Sequence, residues 1–144
     1  AYTGDRQEVT IADIDEICPA FLKNHIFQMV DAVGASDADK ALKVYNELIE
    51  LKEAPSYILY MLIRHFNILL QISSLGGAAK NEIAAKIGIS PYFVGNYQRQ
   101  AAGFKREQLK NALESSLDTE QKFKTGILDD QIGVELLIVG LVSR

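Results

Sequence analysis

A chain of 144 residues, 48% hydrophobic and 24% charged, suits one globular domain, long enough to bury about two-thirds of its unfolded surface. The single cysteine, Cys18, excludes an internal disulfide framework and fits a reducing compartment. The net charge of −4 hides an asymmetry: residues 1–75 hold six basic against eleven acidic side chains, whereas residues 80–110 hold Lys80, Lys86, Arg99, Lys105, Arg106 and Lys110 against Glu82 and Glu107. Only the later segment is suited to approach a nucleic acid.

Residues 1–9 are polar without a helical period and do not read as a secretory signal. A start at Ala1 suggests a chain cut from something longer. Thr10-x-x-Asp13 resembles a capping box, and Ile11, Ile14 and Ile17 supply one apolar face before Cys18-Pro19 ends the turn. Such a short helix has to dock on something to persist.

After Pro19 the pattern is a series of helices divided by short punctuation. Asn24 is placed to cap a helix that ends at Gly34, and Ser36 or Asp37 a second that runs to about Lys52 with Ala41, Val44, Tyr45 and Leu48 on its apolar side. The stretch from Pro55 to Leu75 reads as one long helix, opened by a proline and closed by Gly76-Gly77. Its apolar residues point almost everywhere. Tyr57, Tyr60, Arg64, Asn67, Gln71 and Ser74 form one narrow polar stripe, for which solvation is the simplest account. The length would suit a membrane span, but Arg64 at its middle would cost roughly 2.5–3.5 kcal/mol on insertion scales. A central core helix is therefore expected, and no membrane partner.

A short helix over Lys80–Ile87 then stops at Gly88, and Ser90-Pro91 opens another to about Gly103. The next runs from about Arg106 to Thr125 with Leu109, Ala112, Leu113, Leu117 and Phe123 on its buried side. Asp129 or Asp130 caps a last helix rich in Val, Leu and Ile. No segment alternates with period two, so the expected fold is all-α, a compact multi-helix bundle.

Enzyme chemistry is not visible. The sequence has no phosphate-cradling loop, no cluster of metal-ligand spacing and no positioned nucleophile, so no cofactor and no metal are expected. His65 reads as a satisfied, partly buried side chain, and Asp129-Asp130 as acids serving a helix N-terminus. The sharpest local pattern is Asn81 to Val94, whose helix, Gly88 turn and Ser90-Pro91 start follow the grammar of a helix-turn-helix. Its second helix would offer Tyr92, Phe93, Asn96, Tyr97, Arg99 and Gln100. A DNA-binding module centred on residues 79–103, with Lys80, Lys86, Arg99, Lys105 and Arg106 as contacts, is the alternative function.

The order of several fragments resembles the C-terminal part of the delta subunit of bacterial DNA polymerase III, a clamp-loader component. They are Ile26-Phe27 with Val30 to Gly34, Lys40-Ala41-Leu42, Leu62 to Gln71, Glu82 to Gly88, Leu109 to Leu117, Lys122 to Gly126, and Glu135 to Ile138. The resemblance implies a helical collar domain over residues 19–144 and, over residues 1–18, the tail of a preceding AAA+-like lid domain. It further implies a non-catalytic part of a DNA-directed DNA polymerase holoenzyme, working in the bacterial cytoplasm. Its partners would be other loader subunits, of gamma/tau and delta-prime type, met through the collar. The sliding clamp would be met only through a domain absent from this chain, and DNA within the complex. Phe123, Val134, Leu137, Ile138 and Leu141 are candidate subunit-interface residues because the terminal helices are strongly apolar. Arg64 and Asn67 join them because they lie in the fragment most similar to the family.

Overall fold

A computed structural model of the chain describes residues 20–126 and 129–142. Among these residues seven helices follow in order: α1 (Ala20–Gly34), α2 (Ala38–Glu50), α3 (Pro55–Leu75), α4 (Lys80–Ile87), α5 (Pro91–Ala102), α6 (Arg106–Lys124) and α7 (Asp130–Val142). Among the described residues there is no strand, and the fold is all-α as expected. The short helix anticipated at Thr10–Cys18, and with it the tail assigned to residues 1–18, lies outside the described residues.

Most helix ends sit on the punctuation that foretells them. Asp37 caps α2, its carboxylate accepting from the Lys40 N–H at 3.1 Å. Pro55 and Pro91 occupy first-turn positions, and the Ser90 hydroxyl accepts from the Tyr92 N–H at 3.3 Å. Gly88 closes α4 at φ 87°, a left-handed conformation in which its N–H reaches the Ala84 carbonyl at 2.8 Å. One boundary differs from expectation. Helix α1 begins at Ala20, a turn before Asn24, because Leu22 completes a buried face with Ile26, Met29 and Val30. Burial of that leucine favours the extra turn.

Helix α3 is the centre of the bundle. It packs against α1, α4, α5, α6 and α7, and Ile58, Leu59, Leu62, Phe66, Ile68 and Leu69 are wholly enclosed. Each such side chain contributes about 1.5–3 kcal/mol of burial. By length and composition α3 is also apolar enough to cross a membrane, but its apolar surface is spent on the other helices. Its stripe is not simply solvated: Tyr60 and Ser74 are exposed and Tyr57, Asn67 and Gln71 half-buried, whereas Arg64 is 7% exposed. The solvated reading of Arg64 is thus corrected, since α6 runs along this side of α3 and covers it.

Four of the other helices form two sequential pairs. Consecutive helices α1 and α2 pack on each other, and so do α4 and α5. The end of α1 meets the turn between α5 and α6, where a side chain on Gly34 would put its Cβ 3.0 Å from the Phe104 ring. Helix α7 closes the bundle against α2, α6, α3 and α1. Its start is fastened by the Tyr45 hydroxyl, which donates to the Gln131 carbonyl at 2.8 Å. Burial, then the carboxylates of Glu135, Asp130 and Asp129, hold that phenol well above its usual pKa, so it stays a donor.

Candidate subunit interface

Helix α7 is apolar on every side, and sequence periodicity alone leaves its orientation undetermined. The structure turns Val134, Leu137, Ile138 and Leu141 into the core. Those four candidates are therefore corrected as surface-contact residues: they are committed to the packing of the bundle and hold the domain together. The outward stripe is instead Ile132, Leu136 and Val139, at 53%, 58% and 40% exposure. Their spacing of four and three places them along one line of the helix. Phe123, the remaining apolar candidate, is half-buried and packs on the core.

A second apolar surface lies between α3 and α6. Tyr60, Ile63, Arg64, Asn67, Leu113 and Leu117 line an open groove of about 340 Å³. Leu117, expected inside, is 45% exposed at its rim together with Tyr60. The candidates Arg64 and Asn67 therefore meet in one place, in the lining of this groove. Leu117, Ile132, Leu136 and Val139 are the positions that sequence reasoning missed as surface features. The one available signal is a surplus of apolar residues on α6 and α7 beyond what one buried face requires.

The helix-turn-helix pattern is real as a helix pair but not as a reading head. Val94, Tyr97, Gln100 and Ala101 are buried, so two of the six side chains expected on the surface of α5 are used in packing. Phe93 is half-buried, with the Lys23 ammonium 4.2 Å from its ring centroid. That leaves Tyr92, Asn96 and Arg99 outward. The five candidate nucleic-acid cations are all exposed or half-exposed, but only Arg99 stands on the second helix. Lys80 and Lys86 belong to α4, and Lys105 and Arg106 to the start of α6.

Gln100 has a different role, and it involves the histidine of α3. Its amide nitrogen donates to the Phe27 carbonyl at 3.0 Å and to the Asp31 carboxylate at 2.7 Å. Those two acceptors set the amide orientation, so its oxygen faces His65 and accepts from Nε2–H. His65 is enclosed by Phe27 and Tyr97, with ring centroids 4.5 and 5.2 Å away. Burial, partly opposed by the Gln100 hydrogen bond, lowers its pKa to about 4. A neutral imidazole locked this way ties α3, α5 and α1 together and is not available for acid–base work at neutral pH.

Comparison with known proteins identifies the family of the fold. The family model for the DNA polymerase III delta subunit, C-terminal domain, matches residues 23–141. DNA polymerase III subunit delta of Bacillus subtilis (strain 168) is 26% identical over 145 residues, spanning 99% of this chain and 42% of that protein. Among solved structures, the Bacillus subtilis DNA clamp loader delta protein is similar with a TM-score of 0.80 at 26% identity, over 98% of this chain and 42% of that one. The chain therefore spans less than half the length of the relatives it matches. The family match runs from α1 to α7 and takes in nearly the whole described bundle, and the chain belongs to the family defined by the C-terminal domain of the DNA polymerase III delta protein.

Proposed function

We propose that this chain is a non-catalytic assembly domain of a bacterial replicative clamp loader, joining the collar made with gamma/tau- and delta-prime-type subunits. The observation that carries the reading is the outward apolar stripe of Ile132, Leu136 and Val139 on a helix whose other large apolar side chains are buried. Three large apolar side chains in line are costly to leave in water and suited to the centre of an interface. A ring member also has to meet a neighbour on each side. The groove between α3 and α6 supplies a second surface on different elements. Stable contacts of this kind bury about 800 Å² per partner, so each apolar surface would be the middle of a larger footprint.

Sedimentation of this chain with the loader subunits of the same bacterium tests the proposal. The wild-type chain is expected to co-sediment, and the double substitution Ile132→Glu, Leu136→Glu to lose at least about tenfold in affinity while melting at the wild-type temperature. Equal assembly of the two proteins would remove the reading.

DNA contact within the complex is the second reading, supported by the outward placement of Lys80, Lys86, Arg99, Lys105 and Arg106. With Tyr97 and Gln100 buried, the expected mode is phosphate contact without base readout. Duplex binding should then fall steeply with salt, the slope lessening by about 0.9 for each cation replaced by glutamine that touches a phosphate. A slope unchanged by all five replacements would leave assembly as the sole role.

A further inference from the structure

We infer that the outer line of α5 binds a single nucleic acid strand, with one base stacked on Tyr92 and flanking phosphates on Lys80 and Arg99. This rests on the DNA-contact reading and names the form of the ligand, an unpaired strand met by its phosphates and by the face of a base.

Tyr92 is 84% exposed, against 58% for Leu136, the next most exposed of the large apolar side chains described. The packing of the bundle makes no use of its ring. The neighbouring Phe93 ring stands edge-to-face with it, centroids 5.2 Å apart and planes at 77°, which engages at most one face of Tyr92. Phe93 itself is half-buried and has the Lys23 ammonium 4.2 Å from its centroid. The open aromatic face is therefore that of Tyr92.

The side chains beside it suit a phosphate backbone. Tyr92, Asn96 and Arg99 follow at spacings of four and three, so they form one line along α5, and all three are exposed. Lys80 comes from α4: its ammonium lies 3.3 Å from the point where a Cβ on Gly95 would stand. Gly95 is one turn from Tyr92, and with no side chain there the lysine rests on α5 beside the ring. No acid stands at helical spacing from either cation. Helix α5 holds no Asp or Glu, and the residues three and four beyond Lys80 are Ile83 and Ala84. Glu82 is turned about 200° from Lys80 by the helical period, and it accepts from the Ala79 N–H at 3.4 Å. Asp31, on the α1 side, accepts from the Gln100 amide at 2.7 Å.

An exposed aromatic face beside two cations recognises a strand without regard to sequence, since every base has a π-face and every phosphate a charge. A duplex fits less well, because its bases stack on one another and present only their edges. An acidic peptide would satisfy Lys80 and Arg99 but leave the ring bare.

Affinity of the chain for an oligodeoxythymidine of about 12 nucleotides tests the inference, with a duplex and an abasic strand of equal length as comparisons. The strand is expected to bind at least about fivefold tighter than either. Tyr92→Ser should weaken strand binding by about tenfold and leave its salt slope unchanged, whereas Tyr92→Phe should bind as wild type. Lys80→Gln and Arg99→Gln should each lessen that slope by about 0.7. The chain has no tryptophan, so Tyr92→Trp introduces a single fluorophore, whose emission the oligodeoxythymidine should quench and the abasic strand should not. All three residues are exposed, and unchanged melting curves exclude misfolding as the cause. Loss in Tyr92→Ser at the wild-type slope supports the inference. Strand binding that responds to Lys80 and Arg99 but not to Tyr92, or that is no tighter than duplex or abasic binding, overturns the stacked base and leaves phosphate contact standing. Binding to none of the three nucleic acids overturns both readings. If Tyr92→Ser weakens assembly with the loader subunits and spares the strand, the ring is a protein contact and the inference is wrong.

Discussion

Acidification from pH 7 to pH 4 will remove about 3 kcal/mol of folding stability through His65 alone. The unfolded imidazole titrates near 6.5 and the folded one near 4, because burial disfavours its charged form. A folded pKa below the unfolded value means that the denatured chain binds the proton first. The contribution is therefore complete above pH 6.5 and is lost as the pH falls from there toward 4. Carboxylates titrate in the lower part of the same window, so the comparison has to be made against a variant. His65→Leu fills much of the same space and has no proton to take up. Urea unfolding at about pH 7.5, 6.0 and 4.5 should show wild type losing stability faster than His65→Leu, most of the difference having appeared by the last of these. Parallel curves for the two proteins would show that His65 is not held neutral by the bundle.

Ile138→Ala will cost about 2–5 kcal/mol, while Leu136→Ala, two residues away on the same helix, will stay within about 0.5 kcal/mol of wild type. Ile138 is 1% exposed, so its truncation forfeits transfer energy and leaves a cavity that the surrounding helices fill only in part. Leu136 faces water, and its loss empties nothing. Binding should rank the pair the other way round: Leu136→Ala weakens assembly, and any Ile138→Ala protein that remains folded assembles normally. Guanidinium midpoints and subunit affinities measured on the same two proteins check both halves. Comparable destabilisation by the two substitutions would mean that α7 is not oriented as described.

The same contrast marks the border of what is legible in the sequence. Boundaries at Pro55, Gly88 and Ser90-Pro91 are readable because a missing N–H, a left-handed glycine and a capping hydroxyl act within a few residues of themselves. The all-α class follows from period and composition, and α3 as pillar from an apolar pattern too broad for one buried face. The orientation of α7 is not readable, since Val134 and Leu136 differ only in which neighbours arrive from elsewhere in the chain. Arg64 and Leu117 escape a local reading for a related reason: contact between α3 and α6 covers a cation and leaves a leucine at the rim. The hydrogen bond from His65 to Gln100 joins residues 35 apart, beyond any local signal. It also explains why a helix-turn-helix reading of α5 is attractive and incomplete. The polar residues of that helix have the makings of a reading surface, yet one of them is the centre of a buried network.

Hydrogen–deuterium exchange of the chain, free and in complex with the other loader subunits of its bacterium, tests the assembly role most directly. Slowed exchange on binding is predicted along α7 through Ile132–Val139 and along the facing sides of α3 and α6, with α2 unchanged. Exchange in α3, α6 and α7 that is the same in the complex as in the free chain would contradict the assembly role.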